Sequence, residues 1–245
     1  MNDGTTLEGK TVLITGANGG IGQALVTEAL RRGASRVFAA MRQPTPPAET
    51  RVTPIKLDVT DQDQIRSAAA SITSLDVLVN NAGVMLYDDL SDAAALEQQL
   101  AVNLYGTLAV TNAFLPQLVE SHGTIVNSVS MMALAPVPVM PSYAISKAAT
   151  FNMTQSFRAL LAPKGVRVQA MLAGPVDTDM LRGLEVPKAT PQSVAEKIFD
   201  GVERGEEEIF PDAMSINLAD SWRTGAVKEF EHQFAAFVNP QPVTA

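Results

Sequence analysis

"TVLITGANGGIG", residues 11–22, decides the fold of this 245-residue chain. Five β-favouring residues form a strand, and a glycine-rich turn carries the chain directly into a helix. The glycines are Gly16, Gly20 and Gly22, with Gly19 beside them. Glycine there permits positive φ, lets the backbone approach a pyrophosphate closely, and aims a helix N-terminus at it. The spacing is Gly-x-x-x-Gly-x-Gly rather than the commoner Gly-x-Gly-x-x-Gly. After the first strand of an α/β alternation, this turn predicts a dinucleotide site.

The alternation continues along the chain. "TVLIT" (11–15), "RVFAAM" (36–41), "TPIKL" (53–57), "LDVLVN" (75–80), "GTIVNSV" (123–129), "VRVQAML" (166–172) and "EEIFP" (207–211) read as strands. Several are continuously apolar, as strands covered on both faces must be. Helical patterns lie near 20–32, 61–71, 91–120, 142–162, 191–203 and 215–237. Strands and helices in this order predict a doubly wound parallel sheet and one domain over residues 1–245. The proline-rich "QPTPPAET" (43–50) reads as a surface connection, because the alternation crosses it.

Composition narrows the chemistry. With 46% hydrophobic residues and few aromatics, the core must be built from Ala, Val, Leu and Met. The absence of cysteine removes disulfides, thiolate metal sites and cysteine nucleophiles. His122 and His232 are too few and too separated for a zinc site, so no metal is expected. A net charge of −8 argues against a nucleic-acid surface. The polar start "MNDGTTLEGK" lacks a signal-peptide pattern, and "MMALAPVPVM" (131–140) is too short to span a bilayer. A soluble cytoplasmic protein is expected.

The second strand should carry the group that reads the adenosine ribose. An acid at its end would hold a 2′-hydroxyl, whereas a nearby arginine suits a 2′-phosphate. The strand ends "AAMRQP", with Met41 in the acidic position and Arg42 after it. This favours NADP(H), with NAD(H) second.

In "SYAISKAA" (142–149), Tyr143 and Lys147 lie one helical turn apart, on one face. Alone, that spacing also suits a tyrosine at a core edge beside a solvated lysine. An ammonium about 4 Å from the phenol would be worth roughly 4 kcal/mol at an effective dielectric near 20. That would lower the phenol pKa by about three units and make it a usable acid and base.

With the glycine turn, "NNAG" (80–83) and Tyr-x-x-x-Lys (143–147), the chain resembles the short-chain dehydrogenase/reductase family over nearly its whole length. The resemblance implies a Rossmann-type domain of about seven parallel strands flanked by helices. It also implies roles. Tyr143 would be the catalytic acid/base, and Lys147 would hold the nicotinamide ribose and lower the phenol pKa. Ser130 would hydrogen-bond the substrate oxygen, and Asn103 would hold a water in a proton relay. Cofactor would be held by Gly16, Asn18, Gly19, Gly20, Ile21 and Gly22, by Arg42, by Asp58 and Val59 near the adenine, and by Asn81, Ala82 and Gly83. Pro175, Val176 and Thr178 would complete the site together with Tyr143 and Lys147.

The chain departs from the family's pattern at two places. Gln169 and Ala173 stand where the family has Asn and Pro, which leaves the loop through Gly174 less constrained. The family's glycine-rich end is replaced by "PDAMSINLADSWRTGAVKEFEHQFAAF" (211–237), read as an amphipathic helix with Leu218, Trp222, Phe230 and Phe234 available to pack.

The implied activity is interconversion of ketones and secondary alcohols. An epimerase or dehydratase would need a longer chain with a sugar-binding lobe. A non-catalytic nucleotide-sensing regulator commonly loses the tyrosine or lysine, and both are here. Met and Leu dominate "VML" (84–86), "MMALAPVPVM" and "DMLRGLEVP" (179–187), predicting an apolar cavity for bulky ketones, with Arg182 the one cation nearby. The helix at 91–120 carries more apolar residues than one inward stripe requires, so a homo-oligomer, dimer or tetramer, is expected.

Overall fold

A computed structural model describes residues 4–47 and 49–238. Residues 1–3, Ala48 of the proline-rich connection, and 239–245 belong to the expected 1–245 extent and lie outside the described residues. The strands are β1 Thr11–Thr15, β2 Arg36–Met41, β3 Val52–Lys56, β4 Val77–Asn80, β5 Thr124–Ser128, β6 Arg167–Met171 and β7 Glu208–Ile209. All pair in parallel, in the order β3-β2-β1-β4-β5-β6-β7. The helices are α1 Gly20–Arg31, α2 Gln62–Ser71, α3 Ala93–Leu100, α4 Thr107–Glu120, α5 Pro141–Leu161, α6 Pro191–Arg204, α7 Ala219–Arg223 and α8 Ala226–Ala235.

The continuous apolar run of β1 has a direct cause. Val12 and Ile14 point to one face of the sheet, where Ala24 and Leu25 of α1 meet Val194, Ile198 and Phe199 of α6. Leu13 points to the other, against Ile65 of α2 and Phe114 and Leu118 of α4. All three strand residues are fully buried, and each such side chain contributes about 1.5–3 kcal/mol by leaving water. Local signals end the helices where they should. In α6, Thr190 accepts from Ser193 N at 3.1 Å, Pro191 opens the helix, and Gly205 closes it at φ +67°.

The edge strand β3 contains Pro54, in register with Ala39. Leu57 N donates to Met41 O at 2.9 Å, so the odd-numbered residues here turn their N–H groups toward β2. Pro54 therefore faces outward and interrupts no ladder bond.

Two helical expectations need correction. The 91–120 stretch begins at Ala93 and is interrupted by a π-helical turn over Ala101–Gly106. Of its large apolar residues only Tyr105 is exposed, because the others meet the sheet, α2 and α5. The 215–237 stretch is not one helix. It breaks into a 3-10 turn at Ser215–Leu218, then α7 and α8, with Gly225 between the last two. Leu218 and Trp222 pack as expected, Trp222 with its ring centroid 5.3 Å from that of Phe151, whereas Phe230 and Phe234 stack on each other in solvent.

Charge rather than apolar burial docks α8. Lys228 Nζ lies 2.6, 2.9 and 3.0 Å from carboxylates of Glu207, Glu208 and Glu231. Arg158 of α5 meets Glu208 at 2.8 Å and also pairs with Glu231. Among the described residues, no helix is long and apolar enough to cross a membrane.

Candidate active site

The sheet order reverses at β1, whose neighbours β2 and β4 lead to opposite edges. At such a switch point the loops leaving the strand ends diverge and open a crevice. The glycine turn fills one side of it. Gly16 has φ +66°, and a Cβ there would sit 2.9 Å from Ala82 Cα. A Cβ on Gly22 would fall 2.1 Å from Gly16 O, so the turn packs backbone on backbone. A Cβ on Gly19 would meet nothing within 4 Å, and Gly19 offers α1 no capping side chain. The first N–H groups of α1 are thus left for an anion, a fit for a pyrophosphate.

Asn18, Gly19, Gly20, Ile21, Gly22 and Gly16 line a cavity of about 560 Å³ together with Asn81, Ala82, Gly83, Pro175, Val176 and Thr178. Asn81, in this lining, is also tied to the glycine turn. Its Nδ2 donates to Thr15 O and Gly16 O at 3.0 and 3.2 Å, and its N–H to Thr15 Oγ1 at 3.0 Å. It holds the glycine turn to the end of β4. Arg42, Asp58 and Val59 lie at the ends of β2 and β3, outside this lining. The Asp58 carboxyl is held below its usual range chiefly by the Thr60 N–H and hydroxyl, with a lesser contribution from the Arg42 guanidinium. Val59 is buried, its Cγ2 2.7 Å from where a Cβ on Gly106 would stand.

Tyr143, Lys147 and Ser130 converge on the same cavity, all three buried. Lys147 Nζ is 5.6 Å from the Tyr143 ring centroid and donates to Ser128 O at 2.8 Å. Burial pushes the phenol up to about 12, opposed by a hydrogen bond from Ser130, and burial lowers the lysine to about 8. This corrects the expected charge-driven lowering of the phenol. The ammonium is turned to a backbone carbonyl, and removal from water dominates both groups.

Asn103 sits in the π-helical turn, a distortion that recurs at functional sites. Its side chain exchanges two 2.9 Å hydrogen bonds with the backbone of Val84, and Nδ2 also reaches Ser146 Oγ at 2.9 Å. Its carbonyl accepts from Thr107 and Thr150 hydroxyls at 2.9 and 3.0 Å. The side chain thereby fixes the loop after β4 beside Lys147. Two positions here escaped the sequence reading. Ser146 donates to Tyr143 O at 2.8 Å, and Asp88 accepts from Ser142 N and Oγ at the start of α5. Asp-x-x with small neighbours carries no signal by itself; its partner lies 54 residues away.

The loop past Ala173 is better held than the missing proline suggested. Ala173 O accepts from Met131 N at 3.0 Å, and a parallel bridge joins Val176 to Ala189. Thr178 packs over Gly20. Gln169, at the other departure, donates to Gly201 O at 3.3 Å. Met85, Met131, Met132, Met140, Met180 and Met214 also line the cavity. Met214 comes from the C-terminal segment and was not foreseen. Arg182 is exposed and paired with Asp179.

A crevice at the switch point, a glycine turn under a helix N-terminus and a buried Tyr–Lys–Ser cluster define a nucleotide-dependent oxidoreductase site. Residues 10–188 match the model of the short chain dehydrogenase family, and the chain belongs to that family. It is 36% identical over 212 residues to the short-chain dehydrogenase srdE of Neurospora crassa, covering 80% of this chain and 72% of that one. It is 35% identical over 187 residues to 2-(S)-hydroxypropyl-CoM dehydrogenase 3 of Xanthobacter autotrophicus, covering 69% and 72%. Among solved structures, a short chain dehydrogenase from Burkholderia cenocepacia in complex with NADP superposes with a TM-score of 0.85 at 32% identity, covering 94% of this chain and 98% of that one.

Proposed function

We propose that this chain interconverts bulky apolar ketones and secondary alcohols, with NADP(H) preferred over NAD(H). The observation that carries the reading is the convergence of Tyr143, Ser130 and Lys147 in one methionine-walled cavity beside the glycine turn. The bound nicotinamide would supply or accept the hydride; the chain supplies everything else. The glycine turn and the α1 N-terminus would hold the pyrophosphate, and Arg42 the 2′-phosphate.

During reduction the substrate oxygen sits between the Ser130 hydroxyl and the Tyr143 phenol. With its pKa near 12 the phenol is protonated at neutral pH and serves as the proton donor. The Ser130 hydrogen bond opposes the upward shift, so it both orients the phenol and eases loss of its proton. Lys147, near 8, remains largely protonated at neutral pH and lies one turn along the same face. Asn103 keeps the Val84 loop against it. Thioether walls adapt to differently shaped apolar groups, and the exposed, paired Arg182 offers little to a substrate carboxylate. We place this activity in the cytoplasm and assign the chain a homo-oligomeric state, supported by exposed Tyr105, Ile145 and Leu160. Light scattering at micromolar concentration should then show at least a dimer.

The test is a panel of matched aryl ketones and keto acids, read by absorbance of the reduced nicotinamide with both cofactors. Aryl ketones with NADPH should give the highest kcat/KM. Tyr143→Phe should lower kcat by about 10²–10⁴-fold, and Arg42→Ala should weaken NADPH alone. A keto-acid preference abolished by Arg182→Ala would overturn the substrate assignment, and more than about a tenth of wild-type kcat in Tyr143→Phe would overturn the role of the phenol.

A further inference from the structure

The segment "FPDAMS", residues 210–215, follows β7 and holds a carboxylate that the proposed chemistry does not use. Asp212 is buried, at 9% exposure. Its Oδ1 accepts from Met214 N and Ser215 N, both at 3.0 Å, and its Oδ2 from Ser215 Oγ and Gly174 N, both at 2.7 Å. Among the described residues no Lys or Arg forms an ion pair with it; backbone N–H groups and one hydroxyl satisfy its two oxygens. Three of the bonds are local to its own turn. The fourth reaches across 38 residues to the loop that leaves β6.

That fourth bond joins two walls of the cavity. Gly174 lies between Ala173, whose carbonyl accepts from Ser130 Oγ at 3.4 Å and Met131 N at 3.0 Å, and Pro175, which lines the cavity. Met214 lines it next to that loop, its Cβ 3.3 Å from where a Cβ on Gly174 would stand, and is fixed by the same carboxylate. A Cβ on Gly174 would stand 2.7 Å from Asp212 Oδ1, so the approach requires glycine there. We propose that Asp212 is a positioning residue, clamping the loop through Gly174 to the Met214 wall and so setting the width of the substrate cavity beside Ser130. The consequence for turnover rests on the ketone reductase reading; the clamp itself does not.

Asp212→Asn tests it with little change of shape. The local turn presents two backbone N–H groups to one oxygen, so the asparagine should keep its carbonyl there and turn its NH₂ toward Gly174, breaking that bond selectively. Amide hydrogen exchange on the protein alone should accelerate at Gly174 by at least about tenfold, with the β6 amides Val168–Met171 unchanged. With a bulky ketone and NADPH, well below the melting temperature, KM should rise at least fivefold (about 1 kcal/mol) while kcat falls less. Exchange at Gly174 that stays at the wild-type rate, or rises only in step with β6, would overturn the proposal. Should the asparagine variant not fold, Ser215→Ala removes the hydroxyl that bonds Asp212 Oδ2 and the Asp212 backbone N–H and carbonyl, and leaves the carboxylate. A rise of about twofold to threefold at Gly174 is then expected, and no change overturns the clamp. If no ketone is reduced at all, the exchange result still decides for or against Asp212, and only the functional reading fails.

Discussion

The two ends of α5 are held by opposite means. Its N-terminal half is fastened by hydrogen bonds without an ion pair: the Asp88 carboxylate accepts from Ser142 in the first turn, and neutral groups do the rest. Asn103 reaches Ser146, Thr150 reaches Ser146 O, Thr154 reaches Thr150 O, and Asn127 reaches Thr154 at 3.0 Å. Asn80 continues the chain to Asn127 and Thr111 at 2.9 and 3.0 Å. Its C-terminal half is fastened by charge. Arg158 bonds Val168 O and pairs with glutamates, Gln155 bonds Glu231 at 2.8 Å, and Lys228 sits among three carboxylates. Burial, the largest influence on Glu207, raises its pKa, yet His232, Lys228 and Arg158 together bring it to about 2. From Lys147 to Arg158 is about 16 Å of helix, roughly two Debye lengths in physiological salt. The charged network thus lies well along α5 from Tyr143 and Lys147, whose shifts come chiefly from burial.

Breaking the charged end should give the largest effect on stability. Lys228→Met removes the ammonium shared by Glu207, Glu208 and Glu231 and leaves them to Arg158 and His232; it should cost up to about 3–5 kcal/mol, measured as a lower urea midpoint. Turnover well below the transition should stay within about twofold of wild type (roughly 0.4 kcal/mol). A large loss of kcat in a folded variant would show that the two ends are not independent.

The second effect is pH dependence at the Tyr143 end of α5. Lys147 falls from 10.5 to about 8 on folding, so between those values the unfolded chain holds a proton that the native chain has released. Stability from this group is therefore lowest below pH 8 and rises through the window to 10.5, by roughly 3 kcal/mol. Tyr143 has the opposite sign. Raised from 10.0 to about 12, it keeps its proton while the unfolded chain loses one, and stability falls from pH 10 to 12. Subtracting the Lys147→Met profile from wild type isolates the rise; a flat difference from pH 8 to 10.5 would mean that burial does not control the lysine.

The smallest effect should come from the neutral ladder. Thr154→Val keeps shape and removes the acceptor of Asn127 Nδ2, which should cost about 1–3 kcal/mol in denaturant melts. A cost under about 0.5 kcal/mol would mean that Asn127 finds another partner and that the ladder is loose.

Much of this was readable in the sequence, and the limits have physical causes. Strands β1 and β2 match their expected bounds because a two-sided apolar run has one reading. "EEIFP" was read as a five-residue strand and pairs over only Glu208–Ile209, since Phe210 and Pro211 leave the sheet for the Asp212 turn. The π-helical turn at Asn103 leaves no mark on periodicity; Gly106 at its end packs against Val59, in the turn after β3 and 47 residues away. Gly225 did signal a break within 215–237, and the aromatic spacing masked it. Tyr143, Lys147 and Ser130 were named by motif, whose spacing is local, and the structure brings them to one cavity. Asp88, Asp212 and the Arg158–Lys228 network were not, because each works through partners tens of residues distant.

Pro54 bears on how the protein behaves when concentrated. An open parallel sheet ends in two rows of unpaired backbone groups, each a template on which another molecule could add a strand. On the β3 side, Pro54 turns a missing N–H outward at the centre of a five-residue strand, so an incoming strand finds no donor where its register needs one. On the β7 side the strand is two residues long, too short to seed an addition. Pro54→Val would restore that donor without altering any ladder bond within the sheet, and edge-to-edge association, with its fibrous and insoluble products, would no longer be blocked.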